Sequence, residues 1–541
     1  MKFGEGTGLP LPENNRGTLP VRFHSILFDR PENSVDVDEL EEPAFFAHLN
    51  LDQVLESMTT GRDEYKLKPF FYAPLHAVTA VEYRHEILRD LEQESVLESV
   101  GEFAERMRTM REHRAKAEKL HYRYHKERWF LDAVDIYCGC VSALTEDITR
   151  LDLSARGFLA LRDYLTHYTG SDSFTSLAAE TQKLKDALAD VGYSIRIKGN
   201  RVTVGMYEEE ADYSADVEQT FAKFQQGAVK DYRVKLPDWP DMNHVEARVL
   251  DLVARLYPDL FLTLDEYCTR RRDYLDTTIG TFDREVQLRA ELAFYVGCLN
   301  VHAQLSEKGE ATCFPVPLPP GNPVLSAQGL YDVCLALRIE ARVVGNDVNA
   351  DSKWLVMITG ANQGGKSTFL RSVGLAHLMM QCGMFVSAES FRANVCDGVF
   401  THFKREEDVG MKSGKLDEEL HRMSDIAGRI TPNCILLCNE SFVATNEREG
   451  SEIARQVLRA LIEASVKVVF VTHLFDLAHG FYLQEMDTVL FLRAERQAGG
   501  QRTFKLIEGE PLPTSYGEDS YRRVFGLAPE VAPAPLSDIR V

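Results

Sequence analysis

The 541-residue sequence lacks the features of a membrane protein or of a disulfide-rich secreted protein. It contains no run of about 18 apolar residues, which excludes a typical transmembrane helix. Residues 1–30 are rich in Gly, Pro and charged residues and lack the apolar core of a signal peptide. The ten cysteines are too few for a disulfide scaffold, and their spacing matches no metal-binding motif. We therefore expect a cytoplasmic protein whose cysteines are small buried hydrophobic residues.

A surplus of basic residues is also missing. The chain has 61 Lys and Arg against 83 Asp and Glu, and its formal net charge is −22. Neutralising a nucleic-acid backbone requires clustered basic side chains. This balance therefore excludes a uniformly basic nucleic-acid binder but leaves room for a local basic surface. The length, with 44% hydrophobic and 27% charged residues, is typical of a globular protein with several domains.

The N-terminal half is predicted to be mainly helical, with one interruption by strands. Glu, Arg, Lys and Leu recur at nearly heptad spacing over 81–128, which predicts long and partly solvated helices. The basic run 106–128 is better explained as a solvated helix face than as a polyanion contact. Apolar and polar residues alternate in 193–198 and in 201–204, on both sides of a Gly-Asn turn, which is typical of a β-hairpin.

The sequence pattern changes in the second half of the chain. The segment 313–323 holds five prolines, which exclude a helix or a central strand, so we place the domain boundary there. Beyond it, apolar strands alternate with helices, as in an α/β fold with a mainly parallel sheet. The expected ranges are an N-terminal segment (1–45), a helical domain (46–190), a strand-bearing insert (191–240), the returning helices (241–312), the boundary (313–323) and the α/β domain (324–541).

A phosphate-binding loop opens the α/β domain. A strand pattern at 354–359 leads into the sequence GANQGGKS at 360–367, and a helical pattern follows. This is G-x-x-x-x-G-K-[ST] in its strand–loop–helix context, where backbone N–H groups and the helix N-terminus attract phosphate. We expect Lys366 to reach the β- and γ-phosphates of ATP and Ser367 to ligate Mg²⁺. The expected nucleotide contacts are Gly360, Ala361, Asn362, Gln363, Gly364, Gly365, Lys366, Ser367 and Thr368.

A second strand pattern, 434–438, ends in Asn439 and Glu440. At such strand ends one acidic residue usually holds Mg²⁺, and the next carboxylate orients or deprotonates the attacking water. Glu440 suits the second role, and the alternative is that it is only a charge at a strand end. Since the Asn439 amide carries no charge, we expect weaker organisation of Mg²⁺ and slow hydrolysis. The expected Mg²⁺ ligands are Ser367, Asn439 and Glu440.

Two further elements complete the predicted site. The strand pattern 468–472 leads into His473, which we expect to contact the γ-phosphate. The Gly-bearing loop 410–415 precedes another helix and is a second candidate for a phosphate-facing helix N-terminus. Because one nucleotide needs only one such loop, Ser413 and Gly414 suggest a composite site completed across a dimer. We expect Glu440, His473 and Lys366 to be the catalytic residues.

These motifs together resemble the MutS family, the ATPase clamps of DNA mismatch repair. The family's loop, similar to T-G-x-N-x-G-G-K-S-T, corresponds to 359–368. Its strand-end acidic residue corresponds to Asn439-Glu440, and the T-(N/S)-x-x-x-G loop that follows corresponds to 445–450. Its strand-end histidine corresponds to His473. Its composite-site Ser-Gly element corresponds to Ser413-Gly414, and its late S-Y-G motif corresponds to 515–517. The segment 344–347 resembles the family's segment beside the nucleotide base, which adds Asn346 to the expected nucleotide contacts.

The resemblance is looser upstream of the ATPase half. Thr59-Thr60-Gly61 and Tyr83-Arg84 look like the start of the family's core, 193–235 falls where its DNA clamp lies, and 282–285 falls on the returning lever. The implied fold is multidomain. It is a long α-helical core and lever domain with a small β-containing clamp insert, followed by an α/β P-loop (ABC-type) ATPase domain that ends in a dimerisation region.

The resemblance also implies a short form of the family. Only residues 1–45 precede the core, so we expect no mismatch-reading or connector domain. The family reads mismatches with a Phe-x-Glu motif, and the string Phe-Ala-Glu at 103–105 lies inside a helical pattern, as a chance match would. We therefore expect no direct mismatch reading. The C-terminus shows no nuclease-like extension, so we expect no DNA cleavage.

The expected function is that of a homodimeric, ATP-driven clamp on double-stranded DNA that is mismatched, branched or distorted, in repair or recombination. The rival hypothesis is an ATP-gated protein-interaction switch without DNA binding, which the net charge of −22 favours. A transporter ATPase would fit the nucleotide site but not the long helical region. The acidic run 208–210 lies among the candidate DNA contacts, which are Lys198, Arg201, Lys230, Arg233 and Lys235.

Overall fold

The computed structural model describes residues 23, 25–30, 41–59, 67–199, 201–207, 242–285, 288–404, 414–497 and 501–513. The chain divides into two compact units, which we describe separately. The helical unit consists of Met1–Ile26 and Asp90–Arg289, and the sheet unit consists of Leu27–Arg89 and Ala290–Val541. Residues 27–89 thus belong with the C-terminal part of the chain. The proline-rich segment 313–323 lies inside the sheet unit, whereas its prolines predict a domain boundary there.

The first helices of the chain lie mainly in the sheet unit. They are α1 (Ala44–His48), α2 (Leu51–Thr59), α3 (Lys68–Tyr72) and α4 (Val78–Leu91). Arg84 of α4 is buried, and its guanidinium donates to the Leu27 and Cys382 carbonyls at 2.9 and 2.8 Å. Burial lowers the pKa of Arg84, although nearby groups that include Tyr295 and Glu291 oppose this shift. This residue therefore joins the N-terminal segment of the sheet unit to its later part.

The helical unit contains the long helices that the heptad-like pattern predicts. They are α5 (Glu94–Lys119), α6 (Arg123–Arg150), α7 (Arg156–Thr169), α8 (Asp172–Ala189), α9 (His244–Leu256) and α10 (Pro258–Glu285). Their buried stripes include Phe103 of α5 and Tyr137 of α6. Exposed faces carry ion pairs at i,i+4, such as Arg150 with Glu146. The Phe-Ala-Glu string therefore lies in a helix with its aromatic ring in the core.

The predicted β-hairpin is confirmed. Strands β1 (Tyr193–Lys198) and β2 (Arg201–Met206) are antiparallel, and Lys198 is paired with Arg201 at the turn. Val204 packs against a small apolar cluster formed by α9 and α10, and the Tyr257 hydroxyl donates to the Gly192 carbonyl at 2.6 Å. The hairpin is thus anchored at its base.

Among its described residues, the sheet unit contains strands β3 to β12 and helices α11 to α16. The strands are β3 (Val316–Leu318), β4 (Leu325–Leu330), β5 (Asn346–Asn349), β6 (Leu355–Gly360), β7 (Ser390–Asn394), β8 (Val399–Phe403), β9 (Ile435–Asn439), β10 (Lys467–Val471), β11 (Val489–Arg496) and β12 (Arg502–Glu508). The helices are α11 (Leu288–Glu307), α12 (Val333–Arg338), α13 (Lys366–Gln381), α14 (Lys415–Ala427), α15 (Glu447–Glu463) and α16 (Phe475–Tyr482).

These strands form two sheets. The smaller has the order β3-β7-β4-β5, so β3, which contains Pro317, lies at an edge, where the missing N–H group costs least. The larger has the order β12-β11-β6-β10-β9-β8. Its strands are parallel except β12, which is antiparallel to β11. The expected α/β region with a mainly parallel sheet is therefore present.

The centre of the larger sheet is the core of this unit. Strands β6 and β10 are buried along their whole length, as expected when helices cover both faces of a parallel sheet. Helices α15 and α16 supply Leu458, Leu477 and Phe481 to the same apolar cluster. Because parallel strands share one direction, the carboxyl ends of β6, β9 and β10 meet at one edge of the sheet. The predicted site residues follow these three strands.

Within the described residues, all ten cysteines are free, and all but the half-buried Cys313 are buried. This confirms that they act as small hydrophobic residues. No described helix is both long and apolar enough to span a membrane.

Candidate nucleotide site

The loop between β6 and α13 has the backbone geometry of a phosphate cradle. Gly360 and Gly365 have φ values of +106° and +91°, and Gly365 is the N-cap of α13. A Cβ atom on Gly364 would lie 2.6 Å from the Ala494 side chain. Only glycine fits these positions without strain. The strand–loop–helix context is confirmed, and the helix begins at Lys366, so its free N–H groups face the loop.

Lys366 is held in position by the loop itself. Its ammonium donates to the Gly360 and Ala361 carbonyls at 3.0 and 2.9 Å. Only 5% of the residue is exposed, and burial lowers the pKa of Lys366 to about 8, although the Glu440 carboxylate opposes this shift. An anionic ligand in the cradle would therefore stabilise the charged form of a lysine that burial destabilises.

Ser367, the second residue of α13, contacts Asn439 at the end of β9. The Ser367 hydroxyl donates to Oδ1 of Asn439 at 2.8 Å. With the Glu440 carboxylate, the two residues form a donor set made only of oxygen atoms, which is the ligand class that Mg²⁺ prefers. The residues present therefore fit the predicted ion. No group of three or more His, Cys, Asp or Glu side chains that could hold a metal occurs among the described residues.

Glu440 and His473 form the polar pair at the ends of β9 and β10. His473 Nε2 lies 2.8 Å from Glu440 Oε1. This hydrogen bond lowers the pKa of Glu440, and the nearby Lys404 and Lys366 lower it further, while partial burial opposes them. Glu440 has a φ of +54° and donates its backbone N–H to the Val471 carbonyl at 3.0 Å. The carboxylate is therefore ionised and held towards the ends of the central strands.

A cavity adjoins the phosphate cradle. Its volume is about 380 Å³, and it is lined by Gln363 and Gly365 of the loop, by Thr368 at the start of α13 and by Phe504 of β12. Asn346, which we expected beside the nucleotide base, also lines it. The Asn346 amide is already bonded to β12, because it donates to the Phe504 carbonyl at 3.2 Å and accepts from the Leu506 N–H at 2.7 Å. Its side chain therefore positions β12 along the cavity.

Two residues of β12 belong to this site and were missed by the sequence reasoning. Phe504 is 49% exposed, has a φ of +60° and presents its ring at the cavity. Arg502 donates through Nε to the Asn362 carbonyl at 3.2 Å, and its charge contributes to the lowered pKa of Lys366. In the sequence both residues lie in an ordinary strand pattern, so no local signal distinguishes them.

The remaining predicted residues are distributed as follows. Gly414 is exposed and is the N-cap of α14. Lys198 and Arg201 are exposed at the hairpin turn. Thr60, Gly61, Glu208–210, Lys230, Arg233, Lys235, Ser413 and the S-Y-G motif at 515–517 lie outside the described residues.

Comparison with known proteins agrees with this arrangement. The family model of MutS domain V matches residues 356–524, a range that contains the whole phosphate loop, Glu440, His473 and Phe504. DNA mismatch repair protein MutS of Flavobacterium psychrophilum is 29% identical over 255 residues, which cover 43% of this chain and 28% of that protein. The MutS proteins of Thermus aquaticus and Thermus thermophilus are 28% and 27% identical, over 55% and 62% of this chain.

The matched regions span only 28 to 38% of the length of these three relatives. The similarity includes the strand ends that carry the phosphate loop, the carboxylate and the histidine. The part of the chain that carries the candidate site is therefore similar to domain V of the MutS family.

Proposed function

We propose that the sheet unit binds ATP with Mg²⁺ and hydrolyses the γ-phosphate bond, and that this reaction drives a clamp on double-stranded DNA. The observation that carries the proposal is the meeting of four side chains next to the phosphate cradle. Ser367 is bonded to Asn439, and Glu440 is bonded to His473. A hydroxyl and an amide suited to Mg²⁺ thus lie beside an ionised carboxylate suited to a water molecule.

The nucleotide would bind with its phosphates in the loop and its nucleoside in the cavity. Backbone N–H groups at the start of α13 and the Lys366 ammonium would bind the phosphates. The cavity volume of about 380 Å³ suits a ligand of this size. The exposed Phe504 ring would stack on the base, which explains an aromatic side chain at the surface in a strained backbone conformation.

Hydrolysis would depend on Glu440. Its ionised carboxylate would accept a hydrogen bond or a proton from the attacking water, and His473 would hold that carboxylate in place. Bound Mg²⁺ would neutralise charge on the phosphates, and Ser367, Asn439 and Glu440 would hold it. Because Asn439 supplies a neutral oxygen, the site has one negative charge fewer than a site with two acidic residues. We therefore propose slow hydrolysis.

The clamp proposal rests on the family and on the names of the relatives, which are DNA mismatch repair proteins. A homodimer would complete each nucleotide site with Ser413 and Gly414 of the other chain. The hairpin supplies an exposed basic turn in Lys198 and Arg201, which suits backbone phosphates rather than base edges. We propose duplexes that are mismatched, branched or distorted as targets. The acidic balance of the chain keeps the protein-interaction switch as the competing function.

The first experiment measures DNA binding by fluorescence anisotropy at one fixed salt concentration, with and without ATP. Homoduplex, mismatched and branched DNA are compared, because affinities at different salt concentrations are not comparable. Lys366→Ala is the test variant, and Lys353→Ala, which replaces a lysine of the same unit outside the loop, is the matched control. The proposal expects ATP-dependent binding that Lys366→Ala removes and Lys353→Ala preserves.

The possible results separate the two functions. A ranking of the three DNAs identifies the preferred target of a clamp. If the folded protein binds ATP but none of the DNAs near physiological salt, the clamp is excluded and the protein-interaction switch remains. If ATP does not bind at all, the nucleotide site itself is wrong.

A further inference from the structure

The turn that carries Glu440 is strained and needs support from outside. It consists of Glu440, Ser441 and Phe442, and the first and last have φ values of +54° and +63°. A left-handed conformation is unfavourable for a residue with a side chain, because Cβ crowds the following carbonyl oxygen. Such a conformation persists only where surrounding contacts stabilise it. The full burial of Phe442 supplies one of these contacts.

A carboxylate of α14 supplies another. Glu419 accepts the backbone N–H of Phe442 through Oε2 at 2.9 Å. Glu419 is only 4% exposed, and burial raises its pKa, although the Phe442 N–H and Arg422 oppose this shift. A buried carboxylate is costly unless it is hydrogen-bonded. The contact is therefore specific, since an apolar side chain could fill the same space without that cost.

His402 of β8 joins the same two elements. Its Nδ1 lies 2.6 Å from the Ser441 hydroxyl oxygen, and its Nε2 donates to the Glu419 carbonyl at 3.1 Å. Its ring stacks on Phe442 with centroids 5.6 Å apart. Ser441 donates in turn to the His402 carbonyl at 3.0 Å. The turn after β9 is thus connected to α14 by two buried polar side chains.

From this geometry we infer that Glu419 is a positioning residue, which transmits the position of α14 to the Glu440 carboxylate. The helix begins at Lys415, directly after its N-cap Gly414, and Glu419 follows within the first two turns. A shift of α14 therefore pulls on the Phe442 N–H, two residues from Glu440. The inference deepens the proposed hydrolysis and rests on it. The position of the start of α14 would then determine how the Glu440 carboxylate orients the attacking water.

The test compares three variants of the full-length protein. Glu419→Ala removes the acceptor of the Phe442 N–H, and Glu419→Gln retains an acceptor oxygen. Asp417→Ala is the matched control, since it removes an exposed acidic side chain from the same helix. We measure kcat and KM for ATP hydrolysis and the affinity for a fluorescent ATP analogue. We also record the side-chain NMR signal of His473, assigned with His473→Gln, because His473 contacts Glu440 directly.

Glu419→Ala is expected to lower kcat about tenfold or more while KM and nucleotide affinity change by less than about twofold, since only the placement of a catalytic group is lost. Its His473 signal should shift. Glu419→Gln and Asp417→Ala should resemble the wild type in all three readouts. A parallel loss of affinity and kcat, or an unchanged His473 signal in Glu419→Ala, would overturn the inference. If the wild type binds ATP without turnover, hydrolysis fails as a function, and the His473 signal alone decides whether Glu419 positions Glu440.

Discussion

In the helical unit, the described residues other than glycine all have negative φ, and short connections lead from one long helix to the next. Among the described residues of the sheet unit, nine other than glycine have positive φ. Some of these simply end a helix, such as Glu485 after α16. Four others, Gln363, Glu440, Phe442 and Phe504, surround the candidate nucleotide site. The two units thus differ in where their backbone departs from regular geometry.

The difference indicates where the chemistry lies. The helical unit satisfies many of its polar groups locally, through helix hydrogen bonds and ion pairs along exposed faces. The sheet unit instead gathers strained residues and buried polar groups at one edge of a parallel sheet, where side chains from distant segments meet. Strained backbone is retained where the surrounding structure stabilises it, which is common at functional sites. Substitutions should therefore affect activity in the sheet unit and stability in the helical unit.

The largest effect is expected for Glu440→Gln. Removing a general base costs about 10²–10⁴-fold in rate, so ATP turnover should fall by about 10³-fold while nucleotide affinity is retained. Glu485→Gln is the control, because Glu485 is an exposed glutamate that also has positive φ but lies away from the site. Steady-state hydrolysis and analogue binding measure both. If both variants lose activity equally, the contrast between Glu440 and the distant Glu485 fails, and positive φ does not identify catalytic residues in this unit.

A stability effect without a catalytic effect is expected for Asp90→Ala in the helical unit. The Asp90 carboxylate is buried and accepts from the Ser154 hydroxyl at 2.7 Å and from the Ser154 and Ala155 N–H groups at 2.9 and 2.8 Å, just before α7. Hydrogen bonds to a charged group contribute about 1.5–3 kcal/mol, so the free energy of unfolding should fall by about 3 kcal/mol.

Urea denaturation measures this change, and Asp90→Asn should lose less because its amide oxygen can still accept. ATP affinity should be unchanged in both variants. A large loss of affinity in Asp90→Ala would contradict the division between the two units.

The buried Lys366 predicts a pH dependence of ATP binding. Its folded-state pKa of about 8 lies below the ordinary value of 10.5, so between these values the unfolded chain binds the extra proton and stability from this group rises with pH. ATP should reverse the shift, because phosphate stabilises the ammonium. Binding at pH 8 should therefore take up about half a proton, and affinity should weaken as the pH rises further.

Isothermal titration calorimetry in buffers of different ionisation enthalpy measures this proton uptake. Lys366→Met should bind whatever ATP it retains without the uptake near pH 8. An unchanged uptake in this variant would assign the proton to another group.

The smallest effect is expected on the surface of the helical unit. Arg150 and Glu146 form an exposed ion pair at 3.1 Å on α6. Exposed pairs of this kind contribute about 0.3–0.5 kcal/mol. Glu146→Gln should therefore change the free energy of unfolding by less than about 0.5 kcal/mol, as measured by urea denaturation, and should leave ATP turnover unchanged. A larger effect would show that this ion pair contributes more to stability than exposed pairs of its kind.

Much of the fold follows from local patterns in the sequence. The long helices follow from apolar spacing, the hairpin follows from alternation around its turn, and β6, β9 and β10 begin and end within about one residue of their predicted bounds. The phosphate loop was predictable because its glycines and Lys366 are adjacent in sequence. Glu440 and His473 were predictable as residues that follow buried strands.

The positions of compact units were less predictable. Residues 27–89 lie far in sequence from the part of the chain with which they pack, so no local pattern indicates that Arg84 bonds to the Cys382 carbonyl. The prolines of 313–323 exclude a helix but not an edge strand, and β3 forms there. Composition alone cannot distinguish an edge strand from a linker.

The sequence by itself determined which segments are helices and strands and which residues can bind a phosphate, because propensity, periodicity and loop motifs act over a few neighbouring residues. Only the tertiary structure decided what surrounds those residues. It brings Phe504 and Arg502 to the phosphate loop and seats Glu419 and His402 against the turn of Glu440. These contacts join residues that are 17 to 140 or more positions apart. They depend on strand order and helix packing, which no short stretch of sequence specifies.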